Sequence, residues 1–92
     1  MLSSTKCQES ENMFINKSKT GRNNICGVNV CVFRKEMRIS QRKLADKLQI
    51  IGLDIDKNAI QRIESGQRFV TDIELIALAR ALERSIDDLL AE

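Results

Sequence analysis

Apolar residues recur at intervals of three and four positions from residue 26 to the end of the chain, which is the spacing of a helix that buries one face. Polar gaps separate five such stripes. The stripes consist of Cys26, Val30, Phe33 and Met37; Leu44, Ala45, Leu48 and Ile51; Ala59, Ile60 and Ile63; Leu75, Ile76, Ala79 and Leu82; and Ile86, Leu89 and Leu90. Because each stripe is short, we predict a compact all-α domain in which five short helices pack around one core.

The gaps between the stripes contain residues that start and stop helices. The predicted N-caps are Ser40, Asp56, Thr71 and Ser85. Their side-chain oxygens can accept a backbone N–H of the first helical turn. Glu74 follows Thr71 at the spacing of a capping box. Gly52 and Gly66 follow the second and third stripes, where glycine commonly ends a helix.

The helix predicted after Asp56 has two faces of different chemistry. At about 100° per residue, the arc opposite its apolar stripe contains Lys57, Asn58, Gln61 and Arg62. These side chains can donate hydrogen bonds to base edges and phosphates, whereas an ordinary solvated face carries a mixture of Glu and Lys. The pattern favours a DNA-recognition helix, and a plain solvated surface is the alternative.

Residues 1–24 lack the apolar periodicity, are mostly polar and contain few large apolar residues. Such a composition predicts a flexible N-terminal arm, followed by one domain over residues 25–92. Lys17, Lys19 and Arg22 form a basic cluster just before the first helix. Two interpretations of this cluster stay open, a solubilising tail and an arm that contacts phosphates.

The composition agrees with a helical core. Aromatic residues make up 3% of the chain and proline is absent, so Leu, Ile, Val, Ala and Met must fill the core, which favours helices over a β-sandwich. The longest apolar runs are too short to span a membrane, and the N-terminus lacks the features of a secretory signal. We therefore expect no membrane partner.

Charge is unevenly distributed, although the formal net charge is only +2. Residues 1–68 carry 13 Lys/Arg against 7 Asp/Glu, and residues 69–92 carry 2 against 6. The asymmetry predicts one basic face and one acidic end.

Candidate chemistry for metal binding or catalysis is sparse. The chain has no histidine, and Cys7, Cys26 and Cys31 match no usual zinc spacing. We expect free thiols in a reducing cytoplasm and no metal. Asp87 and Asp88 are adjacent, and adjacent residues of a helix point about 100° apart. With no glycine-rich phosphate loop either, we expect neither an enzyme nor a cofactor.

Several short motifs occur in an order that is typical of one family. They are Phe33-Arg34-Lys35, Ile39-Ser40-Gln41, Leu44-Ala45-Asp46-Lys47-Leu48, Ile60-Gln61-Arg62-Ile63-Glu64-Ser65-Gly66, Leu78-Ala79-Arg80-Ala81-Leu82 and Leu89-Leu90. Over residues 27–90 the chain resembles the Cro and phage-repressor helix-turn-helix family, also called the xenobiotic-response-element type. The resemblance implies a lambda-repressor-like bundle in which the second and third helices bind DNA and the third lies in the major groove.

The resemblance also implies roles for single residues. It places base reading at Lys57, Asn58, Gln61 and Arg62, phosphate contacts at Gln41, Ser65 and Arg68, and a structural ion pair at Arg34 and Glu64. The alternatives for the phosphate positions are a plain polar residue at 41, a simple helix stop at 65–66 and a surface charge at 68.

One segment departs from the family pattern. Between Leu48 and Asp56 the chain is longer than in the compact phage repressors. We expect an extra turn on the second helix, with Ile50 and Ile51 packed inward, and then a longer loop after Gly52. This difference bears on the angle between the two DNA-binding helices.

Together these observations predict a sequence-specific regulator of transcription. We expect a repressor that binds double-stranded DNA as a homodimer at a pseudo-palindromic operator. The alternative is an antitoxin or another protein-interaction module with the same fold. Its partner surface would be the acidic end, residues 83–92, or the polar arm, residues 1–24.

Overall fold

A computed structural model of the protein describes residues 21–92. The first twenty residues of the predicted arm, with Cys7, Lys17 and Lys19, lie outside the described residues. The described residues form five α-helices and no strand, which confirms the predicted all-α class. None of these helices is long and apolar enough to cross a membrane. In chain order they are α1 (Gly27–Glu36), α2 (Gln41–Ile51), α3 (Lys57–Ser65), α4 (Asp72–Leu82) and α5 (Ile86–Leu90).

Side-chain caps start four of the helices at the predicted residues. Ser40 and Asp56 each accept a hydrogen bond from the backbone N–H three residues later, at 3.0 and 2.9 Å. Thr71 and Ser85 each open a capping box that the acidic side chain three residues later completes. α1 differs, because Cys26 at its N-cap supplies no side-chain hydrogen bond.

One core joins all five helices. α3 packs against α1 and α2, whereas α4 packs against α1, α2 and α5. The side chains without exposed surface include Val30, Leu44, Leu48, Ile60, Ile63, Leu78 and Leu89. The apolar face of α3 is therefore turned into the core, and its opposite face lies at the surface.

The extra turn of α2 forms, but its two isoleucines do not pack inward, so that part of the prediction is wrong. Ile50 is 87% exposed, and Ile51 is also exposed. The glycine that ends α2 has a φ of +112°, and the N–H of Leu53 donates to the carbonyl of Leu48 at 2.9 Å. The chain thus folds back on the helix end and buries Ile55 instead.

The predicted core stripes of α4 and α5 are wrong at Ile76, Ile86 and Leu90, which are exposed. α4 contacts three other helices, so its buried face is wider than a single stripe and is displaced from Ile76. The buried residues of α4 are Ala77, Leu78, Ala79, Ala81 and Leu82.

Gly27 lies where the N-terminus of α1 meets the C-terminus of α3. A Cβ atom at Gly27 would collide with the carbonyl oxygen of Ile63 and would lie 2.6 Å from the side-chain oxygen of Asn24. Glycine is therefore required for the close approach of the two helix ends.

Replacing Gly27 by alanine should destabilise the domain, although alanine is the better helix former. We expect the free energy of unfolding to fall by about 1–3 kcal/mol, as measured by urea denaturation. Val28→Ala is the control, because Val28 lies in the same helical turn and is exposed. Its effect should stay within about 0.5 kcal/mol. A Gly27→Ala variant as stable as the wild type would show that the helix ends can separate without cost.

Candidate nucleic-acid interface

The outward face of α3 presents the four side chains that the sequence singled out for base reading. Lys57, Asn58, Gln61 and Arg62 are all exposed, on the side of α3 opposite its three buried apolar residues. The side chains of these four residues make no hydrogen bond or ion pair within residues 21–92. Their donors are thus available to a ligand, while their part in base reading stays a prediction.

A buried ion pair joins the end of α3 to α1. Arg34 Nε donates to Glu64 Oε2 at 2.6 Å and Arg34 Nη2 donates to Glu64 Oε1 at 3.1 Å. The two side chains are only 10% and 7% exposed. Arg34 Nη1 also donates to the carbonyl of Ile39, and Gln41 Nε2 donates to Glu64 Oε1 at 3.0 Å. The ion pair that the resemblance implied therefore lies in a network that also includes the start of α2.

This network holds Glu64 in its charged form. Burial acts to raise the pKa of Glu64, but the hydrogen bonds from Arg34 and Gln41 outweigh it, so the pKa lies below the usual glutamate range. The same hydrogen bond has the opposite effect on its partner and raises the pKa of Arg34 above its ordinary value.

The three predicted phosphate positions have different surroundings. Gln41 is half-buried against Glu64, as described above. Ser65 is exposed, and its hydroxyl donates to the carbonyl of Arg62 at 3.1 Å. Arg68 forms a bidentate ion pair with Glu74 at 2.8 and 3.0 Å. The phosphate contacts stay predictions. If Gln41 or Arg68 contacts a phosphate, the same side chain must also bind a carboxylate, that of Glu64 or Glu74 respectively.

Glu74 links Arg68 to the beginning of α4. The hydrogen bond from Arg68 keeps the pKa of Glu74 below its usual range, against the effect of burial. Glu74 Oε1 also accepts the backbone N–H of Thr71 at 3.1 Å, which completes the capping box. The chain that leaves α3 is thereby fixed to the next helix.

One set of contacts was not indicated by the sequence. Residues 22–24, at the end of the predicted arm, lie against the C-terminal end of α3. Asn24 is 9% exposed, and its Nδ2 donates to the carbonyls of Ile63 and Arg68 at 3.0 and 2.8 Å. These partners are 39 and 44 residues away along the chain, and no local motif signals such a contact. The boundary between arm and domain at residue 24 stays a prediction, although these last arm residues pack on the domain.

Comparisons with known proteins cover the helices that form this surface. A family model described as helix-turn-helix matches residues 33–89, which include all of α2, α3 and α4. The P22 c2 repressor protein, solved in complex with a synthetic operator, is 26% identical with a TM-score of 0.63, covering 74% of this chain and 96% of that one. The restriction-modification controller protein C.AhdI from Aeromonas hydrophila is 26% identical with a TM-score of 0.61, covering 70% of this chain and 86% of that one. No curated protein sequence matches the chain.

Glu64→Ala should destabilise the domain and weaken DNA binding without removing a base contact. The substitution leaves the guanidinium of Arg34 buried without its carboxylate, which costs about 3 kcal/mol or more. We expect a melting temperature lower by roughly 10 °C or more, measured by circular dichroism. Glu36→Ala is the control, because Glu36 pairs with Arg84 at the surface and such pairs contribute less than about 1 kcal/mol. Equal melting temperatures for the two variants would contradict the role of the buried pair.

Stability should also fall in acid through the two carboxylates with lowered pKa. Between its folded and unfolded pKa values, such a group binds more protons when unfolded, so stability rises with pH. The contribution is complete above the ordinary glutamate pKa of about 4.3 and is lost as the pH falls through the lower folded values of Glu64 and Glu74. Melting curves from about pH 3 to pH 7 measure this, since that window brackets the ordinary glutamate pKa. A variant with Glu64→Gln and Glu74→Gln should show a flatter profile, and an unchanged profile would argue against both assignments.

Proposed function

The chain belongs to the helix-turn-helix family of the Cro and C1 type, and we propose that this DNA-binding regulator of transcription is sequence-specific. It binds double-stranded DNA through α2 and α3, with α3 in the major groove. The observation that carries the proposal is the outer face of α3. Its four donor side chains are exposed, while the opposite face is buried in the core.

Each side chain on this face matches an edge of a base pair. Lys57 and Arg62 can donate to O6 and N7 of guanine, and Asn58 and Gln61 can pair bidentately with adenine. α3 has nine residues, so at 1.5 Å per residue it is about 13 Å long. That length spans roughly four base-pair steps of 3.4 Å. The face thus reads a short half-site.

Gln41, Ser65 and Arg68 are the proposed phosphate contacts on either side of the reading face. Gln41 occupies the first position of α2, where the free backbone amides and the helix dipole favour an anion. Ser65 is exposed at the other end of α3. Arg68 can bind a phosphate while it keeps Glu74, because a guanidinium has five N–H donors.

A homodimer follows from the shortness of the half-site, since one reading helix selects too few base pairs. Two copies place their α3 helices about 34 Å apart on one side of the duplex, and the operator is then pseudo-palindromic. Bound there, the dimer acts as a repressor by excluding polymerase. The similarity to the P22 c2 repressor, solved with a synthetic operator, supports this part of the proposal.

An exposed apolar groove favours a second candidate function, a protein-interaction module such as an antitoxin. Ile73 in this groove is 70% exposed. Clustered exposed apolar side chains commonly mark protein-interaction sites. The groove lies between the end of α2 and α4, and is lined by Ile51, Gly52, Leu53, Ile73, Ile76, Ala77 and Arg80. It differs from the partner surfaces considered from the sequence, the acidic end 83–92 and the arm.

The decisive experiment is a selection of bound duplexes from a random library at two salt concentrations. We expect an enriched palindrome whose half-sites are about one helical turn apart. If the dimer neutralises roughly six phosphates, the logarithm of the association constant should fall with the logarithm of salt at a slope near −5. Failure to enrich any sequence would contradict the regulator and would favour the protein-interaction module.

Lys57→Ala and Arg62→Ala should each weaken binding to the enriched duplex by about 1–3 kcal/mol and relax selectivity at one base position. Fluorescence anisotropy with the enriched duplex and its single-base variants measures both effects. Arg80→Ala is the matched control, because it removes the same guanidinium from an exposed site in the α4 groove. Binding that is unaffected by the double substitution would rule out base reading by this face.

A further inference from the structure

The C-terminal end of α3 receives hydrogen bonds from a segment that precedes α1. A helix leaves its last four carbonyl groups without intrahelical partners, and here residues 22–24 supply donors. Arg22 Nη2 donates to the carbonyl of Glu64 at 2.6 Å. The backbone N–H of Asn23 donates to the carbonyl of Gly66 at 2.8 Å, and its side-chain amide donates to the carbonyl of Gln67 at 3.0 Å.

Asn24 is the centre of this contact. Its Nδ2 binds the carbonyls of Ile63 and Arg68, as described above, and its Oδ1 accepts the backbone N–H of Gly27 at 2.8 Å. One buried amide thus joins the first turn of α1 to the last turn of α3. An alanine at this position would remove a donor from each of the carbonyls of Ile63 and Arg68 and would leave the N–H of Gly27 without its acceptor. The carbonyl of Ile63 would keep the N–H of Gly66 at 3.1 Å.

Arg22 covers the turn that ends α3. Gly66 has a φ of +85°, and a Cβ atom there would lie 2.7 Å from Cζ of Arg22. The positive guanidinium is also placed at the negative end of the helix dipole, where a cation is favourable. The conformation of Gly66 and the position of Arg22 are therefore coupled.

The last turn of α3 carries part of the proposed reading face. Arg62 directly precedes Ile63, whose carbonyl accepts a hydrogen bond from Asn24. Bidentate contacts to a base need donor–acceptor distances near 2.9 Å and good alignment. A last turn that frays or tilts therefore loses the alignment of Arg62, even when Arg62 itself is unchanged.

We propose that Arg22, Asn23 and Asn24 are positioning residues for base reading, which hold the last turn of α3 at one orientation. This inference rests on the proposed function and adds to it three residues that touch no base. Their contribution is to the selectivity for one DNA sequence, because binding to phosphates tolerates small rotations of α3 better than bidentate base contacts do.

The chain contains a matched control for an ordinary stabilising amide. Asn29 Nδ2 donates to the carbonyls of Leu89 and Ala91 at 2.8 and 2.7 Å, at the end of α5. Asn24→Ala and Asn29→Ala therefore each remove two amide-to-carbonyl hydrogen bonds near the end of a helix. Asn24→Ala also removes the hydrogen bond from the N–H of Gly27. Only the first of the two helices carries the proposed reading face.

The test uses the full chain, the duplex enriched by the wild type and an unrelated duplex of equal length. Asn24→Ala should weaken binding to the enriched duplex about tenfold and to the unrelated duplex by less than about twofold, since one misplaced base contact has an effect of this size. Asn29→Ala should leave the ratio of the two affinities unchanged. Melting temperatures are measured to check that each variant is folded at the assay temperature. If Asn24→Ala does not fold, Arg22→Met, which keeps the aliphatic stem, replaces it.

Amide hydrogen exchange of the free protein separates this inference from the proposed function. Asn24→Ala should speed exchange at Gly66, Gln67 and Arg68 about tenfold, and Asn29→Ala should not. Unchanged exchange there, or an unchanged affinity ratio, overturns the inference and leaves the proposed function standing. Failure of the wild type to enrich any duplex overturns the proposed function, and the role in base reading with it.

Discussion

A helix of nine residues is too short to stay folded in water by itself, so the shape of α3 depends on what holds its ends and its inner face. Asp56 caps its first turn, and Ile60 and Ile63 enter the core without exposed surface. Glu64 and the final carbonyl groups are bound by residues distant in the sequence. Because these contacts fix both ends and the inner face of α3, the fold does not depend on the side chains of the outer face. Those side chains are free to contact a ligand.

The polar contacts at the end of α3 contribute more to geometry than to stability. A buried ion pair loses hydration as it gains Coulomb energy, and apolar replacements of such pairs often leave a protein as stable. The guanidinium of Arg34, however, presents its donors in a fixed planar fork. Two of them meet Glu64 and a third meets the carbonyl of Ile39. An apolar contact would permit α3 to rotate about its own axis, whereas this bidentate pair defines one orientation.

Features that depend on one helical turn could be predicted from the sequence, and features that depend on tertiary packing could not. The N-caps at Ser40 and Asp56 are local hydrogen bonds, so residue type and spacing were sufficient. Ile50 lies about 200° around α2 from Leu48, on the face opposite the buried stripe, and is exposed for that reason. Ile51 follows the stripe, but it lines the open groove beside α4 and is exposed there. The contacts of Asn24 could not be predicted, because the carbonyls that accept its hydrogen bonds belong to residues 39 and 44 positions later in the chain. Of the candidate site, the exposed donor face of α3 and the implied ion pair could be located, but the support behind the last turn of α3 could not.

The longer segment 49–55 bears on how α3 is presented to a duplex. Gln49 Nε2 donates to the carbonyl of Ile55 at 3.2 Å, so the segment closes back on the end of α2. Ile55 is buried, and Asp56 caps α3 directly after it. Most of the segment thus lies at the surface, and only its last residue, Ile55, enters the core just before α3 begins. The orientation of α3 is then set by its contacts with the core and by the contacts at its two ends. The last turn of α2 instead adds to the exposed apolar surface, because Ile50 there is 87% exposed.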